Sequence, residues 1–297
     1  METKNLQYAD FLLIIEKKEQ YMFKSVQYVL KENFSNLFRI YSIAKYELLA
    51  DMRDSKFGIV WNFLSPTIQV FTYWLIFGVA WNRKPIKVNG IEVPYLLWLI
   101  VGYAAWWFIQ PCITQGCSAI HSKINVITKM KFPVSVLPAT VVCKEFFNHL
   151  CMLLIAFTAC FIYGEFPSLY WLNLIYYAFC SFVLVEAIGL IFSVLTMLWR
   201  DVKKLVTSLT RMLFYFTPLI WNCHFGSNVP FHSILNKIMK LNPLYYIVNG
   251  YRDSIFYHRN FWDHPALTAY FWIFTIVAFV AGSMLMYKFK KKFIDLF

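Results

Sequence analysis

The sequence predicts an all-α integral membrane protein. It has six transmembrane helices, an N-terminal amphipathic helix in the interface, re-entrant outer helices between spans five and six, and both termini in the cytoplasm. Three observations predict this. Of 297 residues, 59% are hydrophobic and only 15% charged, where a soluble domain carries roughly 25% charged residues. Such a chain cannot cover a soluble surface, which excludes soluble enzymes and disordered chains. Six apolar runs approach the ~20 residues that a spanning helix needs. The 28 Lys and Arg, which set a net charge of +12, divide unevenly between loops. They read as topology and not as a nucleic-acid surface.

The elements follow in chain order. Residues 1–58 form a cytoplasmic N-terminal segment with 9 basic and 8 acidic residues. No apolar run follows a short basic head, so a signal peptide is not expected. Phe34, Leu37, Phe38, Tyr41 and Leu48–Leu49 recur at near-helical spacing between charges, the pattern of a helix lying in the interface. Residues 59–289 form the membrane domain, with runs at 59–81, 93–118, 137–163, 173–198, 206–225 and 266–289. With the N-terminus inside, the inner segments carry 18 basic residues and the outer segments 7, which orients the chain. The outer segment 226–265 holds two apolar helical stretches, Pro230–Met239 and Pro243–Tyr257. Asn242-Pro243 is an N-cap followed by a first-position proline. Both stretches are too short to span, so they are expected to dip in and return. Residues 290–297 are a basic cytoplasmic tail.

Polar residues inside spans are costly and mark interior faces or wet paths. Span one carries Asn62, Ser65, Gln69, Thr72 and Tyr73 on one side. Span five carries Thr207, Arg211, Tyr215, Pro218 and Asn222 on one side. Aromatic neighbours, Phe77 among them, suit a sugar path. Interhelical hydrogen bonding is the other reading of the same stripes. Arg211 is placed either to attract phosphate or to anchor topology. Glu186, near the middle of span four, is expected to pair with His149 or Lys144, or to be protonated. The inner loop 119–136 is either a simple positive-inside loop or a docking element whose Phe132 fills a partner's pocket.

Glycine spacing removes nucleotide binding. Of the ten glycines the two closest pairs are twelve positions apart, whereas phosphate loops need glycines two to five apart. Any ATP must therefore be bound by another subunit. The seven cysteines form no CxxC pair and read as apolar filler. No histidine pair has metal-site spacing, so no metal is expected.

Taken in order, several stretches resemble the transmembrane subunits of polysaccharide-exporting ABC transporters of the ABC-2 type. They are Tyr46-Glu47-Leu48, Gly58, Trp61, Pro66, Tyr73-Trp74 and Phe77-Gly78 near span one. Span two adds Pro94, Trp98, Leu99, Gly102 and Trp107. The inner loop adds Ile124-Asn125, Lys129-Met130, Phe132-Pro133, Ser135 and Pro138, and is the most specific stretch. Arg200-Asp201, Thr217-Pro218, Trp221, Asn242-Pro243, Tyr245-Tyr246-Ile247-Val248 and Gly250-Tyr251-Arg252 complete the series. Within that family the branch carrying wall teichoic acid is most similar. The resemblance covers most of residues 40–255.

The resemblance implies a homodimer joined to two cytoplasmic ABC ATPase subunits, which bind ATP and Mg, in a bacterial plasma membrane of Gram-positive type. It implies a lipid-linked anionic polysaccharide as cargo, moved outward among membrane lipids. Tyr46, Arg53, Lys129, Met130, Lys131, Phe132 and Pro133 would contact the ATPase. Asn62, Gln69, Tyr73, Phe77, Arg211, Tyr215 and Asn222 would line the path. The chain itself would not be catalytic. Two rivals stand beside this reading. One keeps the architecture with O-antigen, capsule or drug as cargo. The other is an outer-face membrane transferase using Asp253, His258, Asp263 and His264 as acid–base groups.

Overall fold

The computed structural model describes residues 2–53, 56–82, 84–88, 90–125, 132–221, 234 and 237–290. Helix dominates, as the apolar runs predict. Among the described residues, five helical stretches are long and apolar enough to cross a membrane: Gly58–Ala80, Tyr95–Gly116, Val136–Ile162, Leu169–Leu198 and Pro265–Phe289.

Span one changes pitch along its length. A 3-10 turn, Gly58–Val60, leads into α3 (Trp61–Tyr73), which passes into a π-helical end, Trp74–Ala80. The second, third and fourth apolar runs, here spans two, three and four, form α4 (Tyr95–Gly116), α6 (Val136–Ile162) and α7 (Asn173–Leu198), and the last run forms α10 (Pro265–Phe289). A short helix, α5 (Ala119–Ser122), follows span two.

The fifth run departs from expectation. Its helix, α8 (Asp201–Phe216), has 16 residues and ends at an extended Thr217. Pro218 follows, and the residue before a proline is driven out of the helical region. A continuous helix over 206–225 is therefore replaced by a shorter helix and a turn. Residues 222–233 lie outside the described residues.

Another departure is a two-stranded antiparallel hairpin in the loop after span one. β1 (Ile86–Val88) pairs with β2 (Ile91–Val93), with Ile86 opposite Val93. Gly90 takes φ +84°, the left-handed conformation that such a turn requires. Among the described residues the fold is helical apart from this small hairpin in a loop, consistent with an all-α membrane protein.

The N-terminal segment forms two helices. α1 (Glu2–Ser35) packs along α10, and α2 (Leu37–Arg53) packs on α6. On α2, Ile40 and Ala44 are buried while Phe38, Tyr41, Tyr46 and Leu49 are exposed. One face of α2 therefore packs on α6 and the other, partly apolar, is bare. On α1, Tyr21 and Tyr28 each meet the ring of Tyr287 edge-on at 5.5 Å. Lys290 Nζ lies 3.6 Å from the centre of Tyr28.

α4 is the hub of the bundle. It packs against α6, α7, α8 and α9 (Pro243–Ile255), and Tyr103, Trp106, Phe108 and Ile109 on it are fully buried. α9 begins as the sequence predicts: Asn242 Oδ1 accepts from the Leu244 N–H at 3.0 Å, with Pro243 at the first position. Its 13 residues rise ~20 Å, too little to cross a bilayer. Of the stretch 230–239, only 234 and 237–239 are described. Span one, by contrast, leaves Leu64, Ile68, Phe71, Leu75 and Val79 exposed.

Candidate translocation and coupling sites

The polar face of span one meets spans two and three. Asn62, Ser65 and Gln69 line a cleft of ≈ 440 Å³ together with Gln110 of α4 and Glu145 of α6. Gln69 Nε2 donates to the Tyr73 hydroxyl at 3.0 Å. Span one reaches α8 at a different point, an aromatic row. Tyr73 lies 5.4 Å from Phe214, 6.5 Å from Phe77, and Phe77 5.0 Å from Trp81, between ring centres.

The α8 stripe divides. Arg211 and Tyr215 stand on its exposed face, while Pro218 is buried beyond the helix end. Thr207 turns its hydroxyl back onto the Lys203 carbonyl at 2.8 Å. Asn222 lies outside the described residues. Among the described residues of one chain, then, the two stripes share an aromatic contact and not a common polar wall.

Two ion pairs fasten α2 to the bundle. Glu47 and Asp51, one helical turn apart, pair with Lys123 and Lys144; the Lys144–Asp51 contact is 2.6 Å. Of the expected coupling residues, Tyr46 and Arg53 are exposed on α2. Phe132 and Pro133 are half-buried, and the Arg39 guanidinium lies 5.7 Å over the Phe132 ring. Lys129, Met130 and Lys131 lie outside the described residues. Just beyond, Glu32 of α1 accepts from the Ser135 hydroxyl and, at 2.6 Å, Tyr28 donates to the same side chain.

The expected pairing of Glu186 with His149 or Lys144 is not formed. Lys144 is held by Asp51. His149 is bonded to the Ala104 carbonyl at 3.1 Å and the Tyr251 hydroxyl at 3.0 Å. Both Glu186 oxygens are buried and have no hydrogen-bond partner among the described residues. His149 and Glu186 share a height in the hairpin, but the imidazole turns toward α4 and α9 instead.

The sequence marks Arg252 as an outer-segment basic residue and as part of the Gly250-Tyr251-Arg252 stretch, but does not say what it bonds. It is 1% exposed and donates to three main-chain carbonyls: Nε to Trp98 at 3.3 Å, Nη1 to Pro218 at 2.6 Å and Nη2 to Leu219 at 3.1 Å. It thereby ties α9, α4 and the turn after α8 together. A Cβ at Gly102 would lie 2.1 Å from Nη2, so the glycine makes the space.

The outer polar residues have separate local roles. Asp253 stands 3.9 Å from Arg259; burial pushes its pKa up to about 6 against the pull of Arg259 and Arg252. Asp263 Oδ2 accepts from the Asn260 N–H at 2.8 Å as part of a capping box. His258 stacks edge-on with Tyr170 at 5.3 Å. Burial, then Arg259, lowers the pKa of His264. The four supply no nucleophile–base geometry of the kind a transferase needs.

Residues 39–256, which hold α2, spans one to four, α8 and α9, match the profile of the ABC-2 type transporter. The chain belongs to the ABC-2 type transporter family. This ABC-2 protein is similar to the O-antigen export system permease protein RfbA of Myxococcus xanthus. The two are 26% identical over 243 residues, 82% of this chain and 89% of that one. It is also 26% identical over 270 residues to an O-antigen export system permease protein RfbA of Klebsiella pneumoniae, covering 88% of this chain and 97% of the relative. A second Klebsiella pneumoniae protein of that name is 26% identical over 227 residues, 75% of this chain and 83% of the relative. The ABC-2 match spans both faces singled out above, the α2–inner-loop face and the span-one cleft.

Proposed function

We propose that this ABC-2 protein is the permease subunit of an ABC exporter that moves a lipid-linked polysaccharide outward across the plasma membrane. The observation that carries the reading is the family match over residues 39–256, with export permeases similar along at least three quarters of the chain. In this reading both termini are cytoplasmic, the chain crosses six times, and the fifth crossing is made by α8 with the residues after it. α9 is a re-entrant helix of the outer leaflet. Two copies assemble through the bare apolar faces of span one and α8. Each binds one ATPase subunit, which holds the ATP and Mg, through Tyr46, Arg53 and the loop Lys129 to Pro133.

The export path is formed by Asn62, Gln69, Tyr73 and Phe77 of one copy with Arg211, Tyr215 and Asn222. The polymer class has two readings. The relatives favour an O-antigen-type glycan. The order of motifs in the sequence favours wall teichoic acid. Depleting the permease and analysing the lipid-linked polymer that accumulates inside separates them, because only the second carries phosphate in every repeat.

The test of the whole reading is co-expression with the ATPase encoded beside the gene. A 2:2 complex in detergent is expected, with ATP turnover that depends on the permease. Phe132→Asp is expected to dissociate it. A stable permease that never binds an ATPase overturns the proposal.

A further inference from the structure

The cleft beside span one extends farther than its polar stripe. A second cavity of ≈ 380 Å³, bordered by Leu48 and Met52 of α2 and by Gly58, shares Asp51, Trp61, Asn62 and Asn148 with the first. Together they run from the amphipathic helix to Gln69, roughly 16 Å along span one.

Three kinds of group converge there. Five side-chain amides line it: Asn62, Gln69, Gln110, Gln115 and Asn148. The Asn148 Oδ1 is buried and accepts no hydrogen bond. Two prolines inside helices, Pro66 in α3 and Pro111 in α4, add main-chain acceptors. A helix proline has no N–H, so the carbonyl four residues earlier loses its usual donor. Those carbonyls belong to Asn62 and Trp107, and both residues are in the lining. Trp61 and Trp107 supply flat indole faces. Amides that both donate and accept, carbonyls lacking their usual helical donor, and aromatic side chains suit the hydroxyls and C–H faces of sugar rings.

Charge decides what kind of headgroup fits. Lys144 is the one cation among the described lining residues, and Asp51 holds it at 2.6 Å. Glu145 accepts from Gln115 at 3.0 Å and Asn148 at 2.9 Å. A phosphate would be desolvated beside carboxyl groups with no uncompensated cation to meet it. A neutral ring meets no such cost.

We propose that this cleft binds the non-ionic sugar rings of a glycolipid headgroup, taken up from the inner leaflet. The proposal deepens the exporter reading and rests on it, including its orientation.

Photolabelling of the permease–ATPase complex in nanodiscs tests it. The probe is an alkyl disaccharide carrying a diazirine on the sugar; the control is an alkyl phosphate carrying the same group. Saturable labelling of segments 61–69 and 107–115 by the sugar probe is expected, displaced by unlabelled alkyl disaccharide. Free disaccharide at the same concentration should leave it in place, and displacement by free sugar would overturn the membrane-borne source. Gln110→Leu with Asn148→Leu should lower labelling roughly tenfold, the loss of one or two hydrogen bonds. Ser65→Phe, which fills the cleft, should do the same with complex yield unchanged. Equal labelling by the phosphate probe overturns the preference for neutral sugar. Full labelling of both variants overturns the site. The exporter reading is scored separately, by surface polymer in cells lacking the chain, so either idea can fall alone.

Discussion

The Arg252 guanidinium lies 3.3 Å from the centre of the Trp98 indole, and the same residue's main-chain oxygen accepts from its Nε. Trp98 thus meets the cation with both its ring face and its carbonyl. Its Nη1 and Nη2 reach the carbonyls of Pro218 and Leu219, where α8 has just ended. Lysine keeps the charge but not the planar fork. Arg252→Lys is expected to strand at least one of these carbonyls and cost ~2–3 kcal/mol. In a detergent melt that corresponds to a fall of roughly 5–10 °C. An unchanged melting temperature would show that the fork holds nothing together.

Asp253 provides a pH test. Its carboxyl is pushed from 3.8 to about 6 by burial. The folded protein therefore holds that proton more tightly than the unfolded chain, and the stabilisation is complete below pH ~4 and lost as pH rises through about 6. Asp253→Asn removes this titration. Relative to the native protein the variant should gain stability between pH 4 and 6 and keep the gain above it. His264 titrates nearby in both proteins, so the difference between the two melting curves isolates Asp253. A constant difference from pH 4 to 8 would count against the burial argument.

Among the described residues Glu186 has no salt-bridge partner. Glu186→Gln keeps the shape and removes the ionisable group, so complex yield and export should stay near the native level. Full assembly with abolished export would instead give this carboxyl a part in transport.

Glu32 links α1 to the start of span three through Ser135. Glu32→Ala removes the acceptor for Tyr28 and Ser135 together. Amide exchange over residues 18–35 should rise, while the buried stretch of α4 stays protected. Uniform protection in both proteins would place the hold on α1 elsewhere, in the Tyr28–Tyr287–Lys290 stack.

Apolar run length located five candidate spans to within a few residues, because a bilayer imposes one length and one solvent on every crossing. The cap at Asn242 was equally legible, since a cap is a local bond between neighbours in sequence. Local chemistry also carried the hairpin: Asn89-Gly90 between alternating Ile and Val is a turn signal, hidden by treating the whole loop as a connection between spans. What failed was azimuth. Matching residues across a hairpin puts Glu186 level with His149 but does not say which way either side chain turns. The stripe on span one was visible at helical spacing, yet its facing partners, spans two and three, were not. Arg252 had no legible partner at all, because main-chain oxygens leave no mark in a sequence.

The packing of α1 along α10 has a consequence for biogenesis. Tyr28 and Tyr287 meet across nearly the full chain. At the usual pace of synthesis, α1 leaves the ribosome roughly 13–50 s before its partner surface exists. Throughout that interval every earlier span can insert while the N-terminal helix waits undocked. Closure of this contact is therefore a late event in the life of the nascent chain, and it registers that α10 has been made.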